Sequence, residues 1–230
     1  LDVYQAAHPG ISAMISSGTA TASIFLLCKL LPLSSDNWMP FLIVIGIVSF
    51  VGSNILGIAQ QNSNRLLGYS SIGQIGLMLV ILGLAPRLGE HFNFIFLSIF
   101  ISHFLAKAGL FWISGIVMKD NIRDWSALRK NKLLLFMFGF FLLTLMGFPP
   151  FPSFYGKWQL IMELSQQKLF IWIVLILVGS LFEGLYLFRW FGFVMKGEVE
   201  QKEKLLIHWE KMIPPMLFTI LVLVASHFMN

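Results

Sequence analysis

Residues 147–158 read Gly147-Phe148-Pro149-Pro150-Phe151-Pro152-Ser153-Phe154-Tyr155-Gly156-Lys157-Trp158, with apolar spans on either side. The prolines cannot continue a helix, because each lacks a backbone N–H and its ring clashes with the preceding turn. A lone lysine follows them. Near the middle of a bilayer-spanning helix a lysine costs roughly 2.5–3.5 kcal/mol, and such residues face a bundle interior or a water-filled cavity. Irregular backbone at membrane depth is likewise tolerated only where protein or a cavity satisfies its polar groups. Both costs fall within a few residues of each other, so the stretch predicts a proline-broken membrane helix that keeps Lys157 for a use.

The rest of the chain supports a membrane setting. Its 230 residues are 57% hydrophobic and 12% charged, with a mean hydropathy of +0.80, whereas a soluble domain is about 25% charged. Windows of about 20 apolar residues mark membrane spans. They lie near 11–33, 40–60, 66–86, 93–118, 133–148, 169–194 and 212–229, with the broken helix at 153–166 added. The expectation is a single all-α integral membrane domain of about seven transmembrane helices plus the broken one. Two longer connections interrupt it, a basic one at 119–132 and one at 195–211 that alternates Lys with Glu. If 153–166 crosses the membrane, the two fall on opposite faces, basic residues nearly balance, and the bias of Lys and Arg toward the inner face gives no orientation. Leu205, Leu206 and Trp209 can share one face of an interfacial helix; the alternative is a solvated loop. The chain begins at Leu1, without Met, which suggests processing or a longer polypeptide.

The formal charge of +5 and the pI of 9.4 do not indicate nucleic acid, because the basic residues lie between apolar spans and no recognised module accompanies them. Juxtamembrane lysines and arginines, which set topology and meet anionic headgroups, account for the charge. Cys28 is the only cysteine, which excludes an intrachain disulfide or a cysteine-held iron–sulfur cluster. Phosphate-binding loops, metal-ligand spacings and nucleophile elbows are missing too. No metal, nucleotide or flavin is expected on this chain.

Several polar residues interrupt the apolar spans. Lys107 is the only formal charge within 93–118, and His103 precedes it by one helical turn, so both project from one face. Together they can pass a proton; the other reading is a packed His103 and a Lys107 stem that reaches for the nearer interface. Lys107 stands about midway, where that reach is least effective. Glu183, in Gly179-Ser180-Leu181-Phe182-Glu183-Gly184-Leu185, needs protonation or a partner when buried, and Lys107, Lys157 or Arg189 can supply one. It either moves ions or fixes helix register through an ion pair. Glu163 and Gln74 are weaker candidates: Glu163 falls toward a span end, and Gln74 bridges helices or binds water. Gly73 and Gly76 beside Gln74 allow close helix approach.

These residues together resemble the antiporter-like, proton-translocating membrane subunits of respiratory complex I and its relatives. Asn64-Arg65-Leu66-Leu67-Gly68-Tyr69-Ser70-Ser71-Ile72-Gly73-Gln74-Ile75-Gly76 is similar to the family's "KRLLAYSSI…G" stretch, in the wording of its NuoN/NdhB (subunit 2-like) branch. Asp120-Asn121-Ile122-Arg123-Asp124 resembles that branch too. Asp2-Val3-Tyr4 with Ile11-Ser12-Ala13-Met14-Ile15-Ser16 is similar to "PDVYEG…PVTAFLS", and residues 147–157 are similar to "GIPPLAGFIGK". Ser102-His103-Phe104-Leu105-Ala106-Lys107-Ala108 looks more like the hydrogenase and Mrp branches.

The resemblance implies two inverted five-helix repeats, each with a broken helix and a central ionisable residue. The second would occupy 63–195, with 1–62 a remnant of the first and 196–230 a loop or interfacial segment plus a C-terminal helix. It implies the C-terminal half of a subunit that relays protons through His103, Lys107, Lys157 and Glu183 in an NADH- or other donor:quinone oxidoreductase. Flavin, iron–sulfur clusters and quinone would belong to partner subunits. The setting would be an energy-coupling membrane: a bacterial or archaeal plasma membrane, a mitochondrial inner membrane or a thylakoid. Two departures matter. The lysine of the family's first broken helix falls near Thr19-Ala20-Thr21, where none is present, and 40–60 holds no ionisable residue. They leave open a structural bridging subunit that has lost translocation, and a hydrogenase or Mrp-type parent is the other alternative.

Overall fold

The computed structural model describes residues 2–33, 38–197 and 209–229, and these are helical apart from turns and one isolated bridge, Asn62 to Asn121. A short α1 (Asp2–Ala6) precedes α2 (Pro9–Leu30), α3 (Met39–Ile58), α4 (Ser63–Gly83), α5 (Phe92–Val117), α6 (Lys132–Met146), α7 (Pro152–Gln166), α8 (Phe170–Lys196) and α9 (Ile213–Phe228). Local chemistry sets their ends. Asn62 and Asn131 accept hydrogen bonds from Arg65 N and Leu134 N, each at 3.0 Å, and so cap α4 and α6. Proline opens α3 and α7, where its missing N–H costs nothing.

Among the described residues six helices are long and apolar enough to cross a membrane, and α6 is a shorter apolar one. The chain is an integral membrane protein. Helices α3 and α4 pack closely, because a Cβ on Gly76 would stand 2.6 Å from Gly46 O and one on Gly46 would stand 2.6 Å from Gly76 O. Small residues here replace side-chain packing with backbone contact.

The break between α6 and α7 corrects the expected topology. Each helix has 15 residues, about 22 Å at 1.5 Å per residue, which is short of the roughly 30 Å hydrocarbon core. Arg129 in the Ile122–Lys130 turn donates to Met195 O at 2.9 Å and to Gly197 O. At the far end Gln167 donates to Arg87 O at 2.7 Å. So α6 starts on the face where α8 ends, and α7 ends on the face where α8 starts. The two short helices share one crossing, and 119–132 lies on the same face as the end of α8, not opposite it.

This loop face is knitted together. Ser63 N donates to Asp120 O at 2.7 Å and Ile122 N to Gln61 O at 2.8 Å. Trp125, fully buried, packs edge-on against Trp190 with ring centroids 4.6 Å apart. Arg65, Lys119, Arg123, Arg129, Lys130, Lys132, Arg189 and Lys196 belong to this face, against Lys29, Arg87 and Lys168 on the other. Basic residues are therefore biased, where counting without the shared crossing balances them. The proposed interfacial residues Leu205 and Leu206 lie outside the described residues, and Trp209, in the turn before α9, is exposed.

Candidate functional site

Four helices converge at mid-membrane depth around α4. Leu67, Ser70, Ser71 and Gln74 follow the i, i+3, i+4, i+7 spacing that places residues along one stripe of a helix. All four are buried. The stripe faces Glu183 of α8, Lys157 of α7 and Lys107 of α5.

Glu183 is 0% exposed. Gln74 Nε2 donates to its two oxygens at 2.8 and 2.7 Å, and Ser70 Oγ donates at 3.2 Å. Lys157 Nζ stands 3.5 Å from Oε2. Charge-assisted N–H to O bonds run about 2.7–2.9 Å, so Gln74 holds the carboxylate tightly while Lys157 pairs with it loosely.

The broken crossing delivers Lys157 to this place. Helix α6 ends on Gly147, whose φ of +81° favours glycine, and a Cβ there would lie 3.2 Å from Lys157 Cδ. The last carbonyls of a helix have no partner within it. Here Ser153 Oγ donates to Thr144 O, Gln74 to Leu145 O at 3.4 Å and Lys157 Nζ to Met146 O at 3.2 Å. The negative end of the α6 dipole thus faces the ammonium. The prolines open the turn; the polar groups around it satisfy what they free.

Lys107 is also 0% exposed, and Nζ donates to Leu67 O at 2.8 Å. Among the described residues no carboxylate lies within ion-pair distance of it, although it and Glu183 interact through space. His103 is buried one turn away, with neither ring nitrogen hydrogen-bonded to a described residue. The structure therefore gathers Lys157, Glu183 and Gln74 into one cluster, sets Lys107 on the same α4 stripe, and places His103 beside Lys107 without a direct bond. Gln74 bridges helices.

Two sequence-selected residues lie elsewhere. Glu163 sits near the end of α7, where it accepts from Gln159 at 3.1 Å and stands 3.6 Å from His91. Arg189 binds Ile58 O and Gln60 O on the loop face, away from Glu183. Ser70 and Tyr186 are members of the network that the sequence reading does not single out as site residues. Tyr186 Oη donates to Asn54 Oδ1 at 2.9 Å. One helical turn from Gln74 and Glu183, respectively, was the available signal. Among the described residues no group of three or more His, Cys, Asp and Glu side chains is placed to hold a metal.

Comparison with known proteins agrees with this architecture. Residues 1–183 match the family model "NADH:quinone oxidoreductase/Mrp antiporter, TM". The chain is 28% identical over 194 residues to the chloroplastic NAD(P)H-quinone oxidoreductase subunit 2 of Chlorokybus atmophyticus, covering 82% of this chain and 38% of that protein. It is 29% identical over 204 residues to NADH-quinone oxidoreductase subunit N 2 of Chloroherpeton thalassium, covering 81% of this chain and 39% of the relative. It thus spans under half the length of these curated relatives. A chain of the membrane-bound sulfane sulfur reductase, an archaeal respiratory membrane complex, superposes with a TM-score of 0.81 at 23% identity, over 100% of this chain and 49% of the other. One from the Mrp complex of Dietzia sp. gives 0.81 at 15% identity, over 97% and 51%. One from Thermus thermophilus respiratory complex I with bound aureothin gives 0.65 at 24%, over 81% and 43%. With most of its length inside the family model and a buried lysine–glutamate pair at its broken crossing, the chain belongs to the NADH:quinone oxidoreductase/Mrp antiporter transmembrane family.

Proposed function

We propose that this chain is the proton-translocating, antiporter-like membrane subunit of a complex I-type assembly, with redox chemistry carried by its partners. One observation carries the reading: a loosely paired Lys157–Glu183 couple is buried at the break of a membrane-crossing helix, with a second buried lysine on the same α4 stripe. Unit charges about 4 Å apart interact by about 4 kcal/mol at an effective dielectric constant of 20. That is the scale of the Lys157–Glu183 pair, and a proton arriving at or leaving Lys107, beyond ion-pair distance, changes the field on it by less. Protonating Glu183 leaves Lys157 without its counter-charge and opens the pair, and re-ionising it closes the pair again. Gln74 and Ser70 keep Glu183 oriented through both states, and His103 stands where it can exchange a proton with Lys107. Partner subunits holding flavin, iron–sulfur clusters and quinone fit this role.

The test removes both charges together, Lys157→Met with Glu183→Gln, so that no unpaired ion is left in the bundle. Reconstituted complex should keep its electron transfer and lose protons pumped per electron; unchanged stoichiometry rejects the reading. A bridging subunit without translocation is the second reading, favoured by α2 and α3, whose buried polar residues, among those described, are all neutral: Ser12, Ser16, Ser17, Thr21, Ser53 and Asn54. It predicts normal coupling when Lys107 and Lys157 are both alanine.

A further inference from the structure

We infer that the outer face of α6 binds one acyl chain of an anionic phospholipid whose headgroup is held by Lys132, an inference that goes beyond the proton-translocating reading and does not depend on it. A groove of about 470 Å³ runs along this helix. Lys132, Leu135, Phe136, Gly139, Phe140 and Leu143 line it, and their spacing of three or four residues keeps them on one face of α6. Lys132 stands in the first turn, at the loop face, and is exposed. The lining ends at Pro149 and Pro150, where the crossing breaks. Among the described residues of the lining, Lys132 carries the one polar side chain.

The dimensions select a chain over a helix. From Lys132 to Leu143 the rise is about 16 Å at 1.5 Å per residue, close to half of the roughly 30 Å hydrocarbon core, so the groove spans about one leaflet. Spread over that length, 470 Å³ leaves a section of roughly 30 Å², whereas a helix about 10 Å across needs roughly 80 Å². A partner helix is too broad to enter; a single hydrocarbon chain fits. Gly139 makes the room. A Cβ there would stand 3.3 Å from Phe191 Cε2, inside the usual contact distance of about 3.5–4.0 Å, so a larger side chain would fill the groove at its midpoint. A second recess of about 80 Å³, wholly apolar, shares Gly139, Leu143 and Phe191 with it and extends the space toward Met146.

The charge at the mouth selects the headgroup. Lys132 forms no ion pair with a carboxylate among the described residues. Its ammonium offers three N–H donors, and the N-terminal end of α6 adds partial positive charge beside it. The loop face contributes Arg123, Arg129, Lys130 and Lys196 against Asp120 and Asp124, and such basic residues at a membrane surface attract anionic lipid. A zwitterionic headgroup brings an ammonium of its own, which this field repels. The larger groove beside α2, about 680 Å³, has no charged residue in its described lining and offers a headgroup nothing comparable.

The experiment uses the whole complex in nanodiscs that contain phosphatidylglycerol with a diazirine near the end of one acyl chain, and maps the crosslinked peptides by mass spectrometry. Label should appear at 143–151. Unlabelled phosphatidylglycerol should displace it about fivefold better than phosphatidylcholine, the scale of one basic residue at an anionic surface. Gly139→Leu should remove the label there. Lys132→Gln, an exposed change that leaves the bundle intact, should keep the label and erase the preference, and so decides the matter if Gly139→Leu fails to assemble. Equal displacement by the two lipids overturns the inference, as does a preference that survives Lys132→Gln or that is equally strong at the α2 groove. Absence of label at 143–151 in the parent complex overturns it too, and means that a neighbouring subunit covers the groove.

Discussion

The first two crossings and the next four handle buried polarity in different ways. Helices α2 and α3 bury only neutral groups among their described residues: Ser12, Ser16, Ser17, Thr21, Ser53 and Asn54, of which the Thr21 hydroxyl and Asn54 Nδ2 have no hydrogen-bond partner among the described residues. Helices α5, the α6–α7 crossing and α8 bury Lys107, Lys157 and Glu183, and α4 supplies the amide, hydroxyl and carbonyl that hold them. The difference shows what a membrane interior demands of charge. The Lys157–Glu183 pair is kept where a second charge, a donor and a helix end converge, and Lys107 is kept against a carbonyl of α4; α2 and α3 provide no such convergence.

The strongest way to break this comparison is to leave one charge alone. Lys157→Met strands Glu183, and breaking a buried pair from one side costs about 3–5 kcal/mol, whereas removing both partners is often neutral. Thermal melting of the complex in mild detergent should show the single variant markedly destabilised, and the Lys157→Met, Glu183→Gln double close to the parent. Equal melting of single and double would mean that the pair does not hold this region. The converse experiment adds a charge where the fold offers no partner. Thr21→Lys, at a 4% exposed position, should cost roughly 2.5–3.5 kcal/mol. Tolerance of that lysine would show that α2 retains an ion site, and the contrast between the regions would fail.

A smaller effect separates the donors. Gln74→Leu removes the amide that binds both Glu183 oxygens, and hydrogen bonds to charged groups contribute about 1.5–3 kcal/mol. Asn54→Leu removes only a neutral acceptor of Tyr186, a loss nearer 1 kcal/mol. The two variants, compared by the same melting assay, should fall in that order. A reversal would place the structural weight of the network on Tyr186 instead of Glu183.

Much of this was legible in the sequence, for identifiable reasons. Membrane spans announce themselves by length and hydropathy, and isolated ionisable residues within them are costly enough to mark a site. Lys107, Lys157, Glu183 and Gln74 therefore stood out one by one. What they do to each other did not. Lys157 being the partner of Glu183, and Arg189 turning instead to Ile58 O and Gln60 O, depend on which helices touch. The broken crossing misled for a related reason: α6 and α7 each look like a span in the sequence, and only the Arg129 contacts to the end of α8 show that they share one. Serines were the least legible, because a hydroxyl costs little inside a helix that can accept its bond, and only Ser16 pairing across helices gives it away.

That shared crossing also orients the molecule, with almost no expected change in stability. Because it puts 119–132 and the end of α8 on one face, the bias of lysine and arginine toward the inner side of a membrane predicts that the loop face is the inner one. Two exposed acidic positions report on it, Asp124 on the loop face and Glu90 on the other. In a Cys28→Ser background, Asp124→Cys should react with a membrane-impermeant maleimide only in inside-out vesicles, and Glu90→Cys only in right-side-out ones. Labelling of both from one side would mean that α5, which lies between them, does not cross, and the seating of Lys107 against α4 would lose its geometric basis. The opposite assignment would keep the Lys157–Glu183 pair and reverse only the side on which the loop face lies.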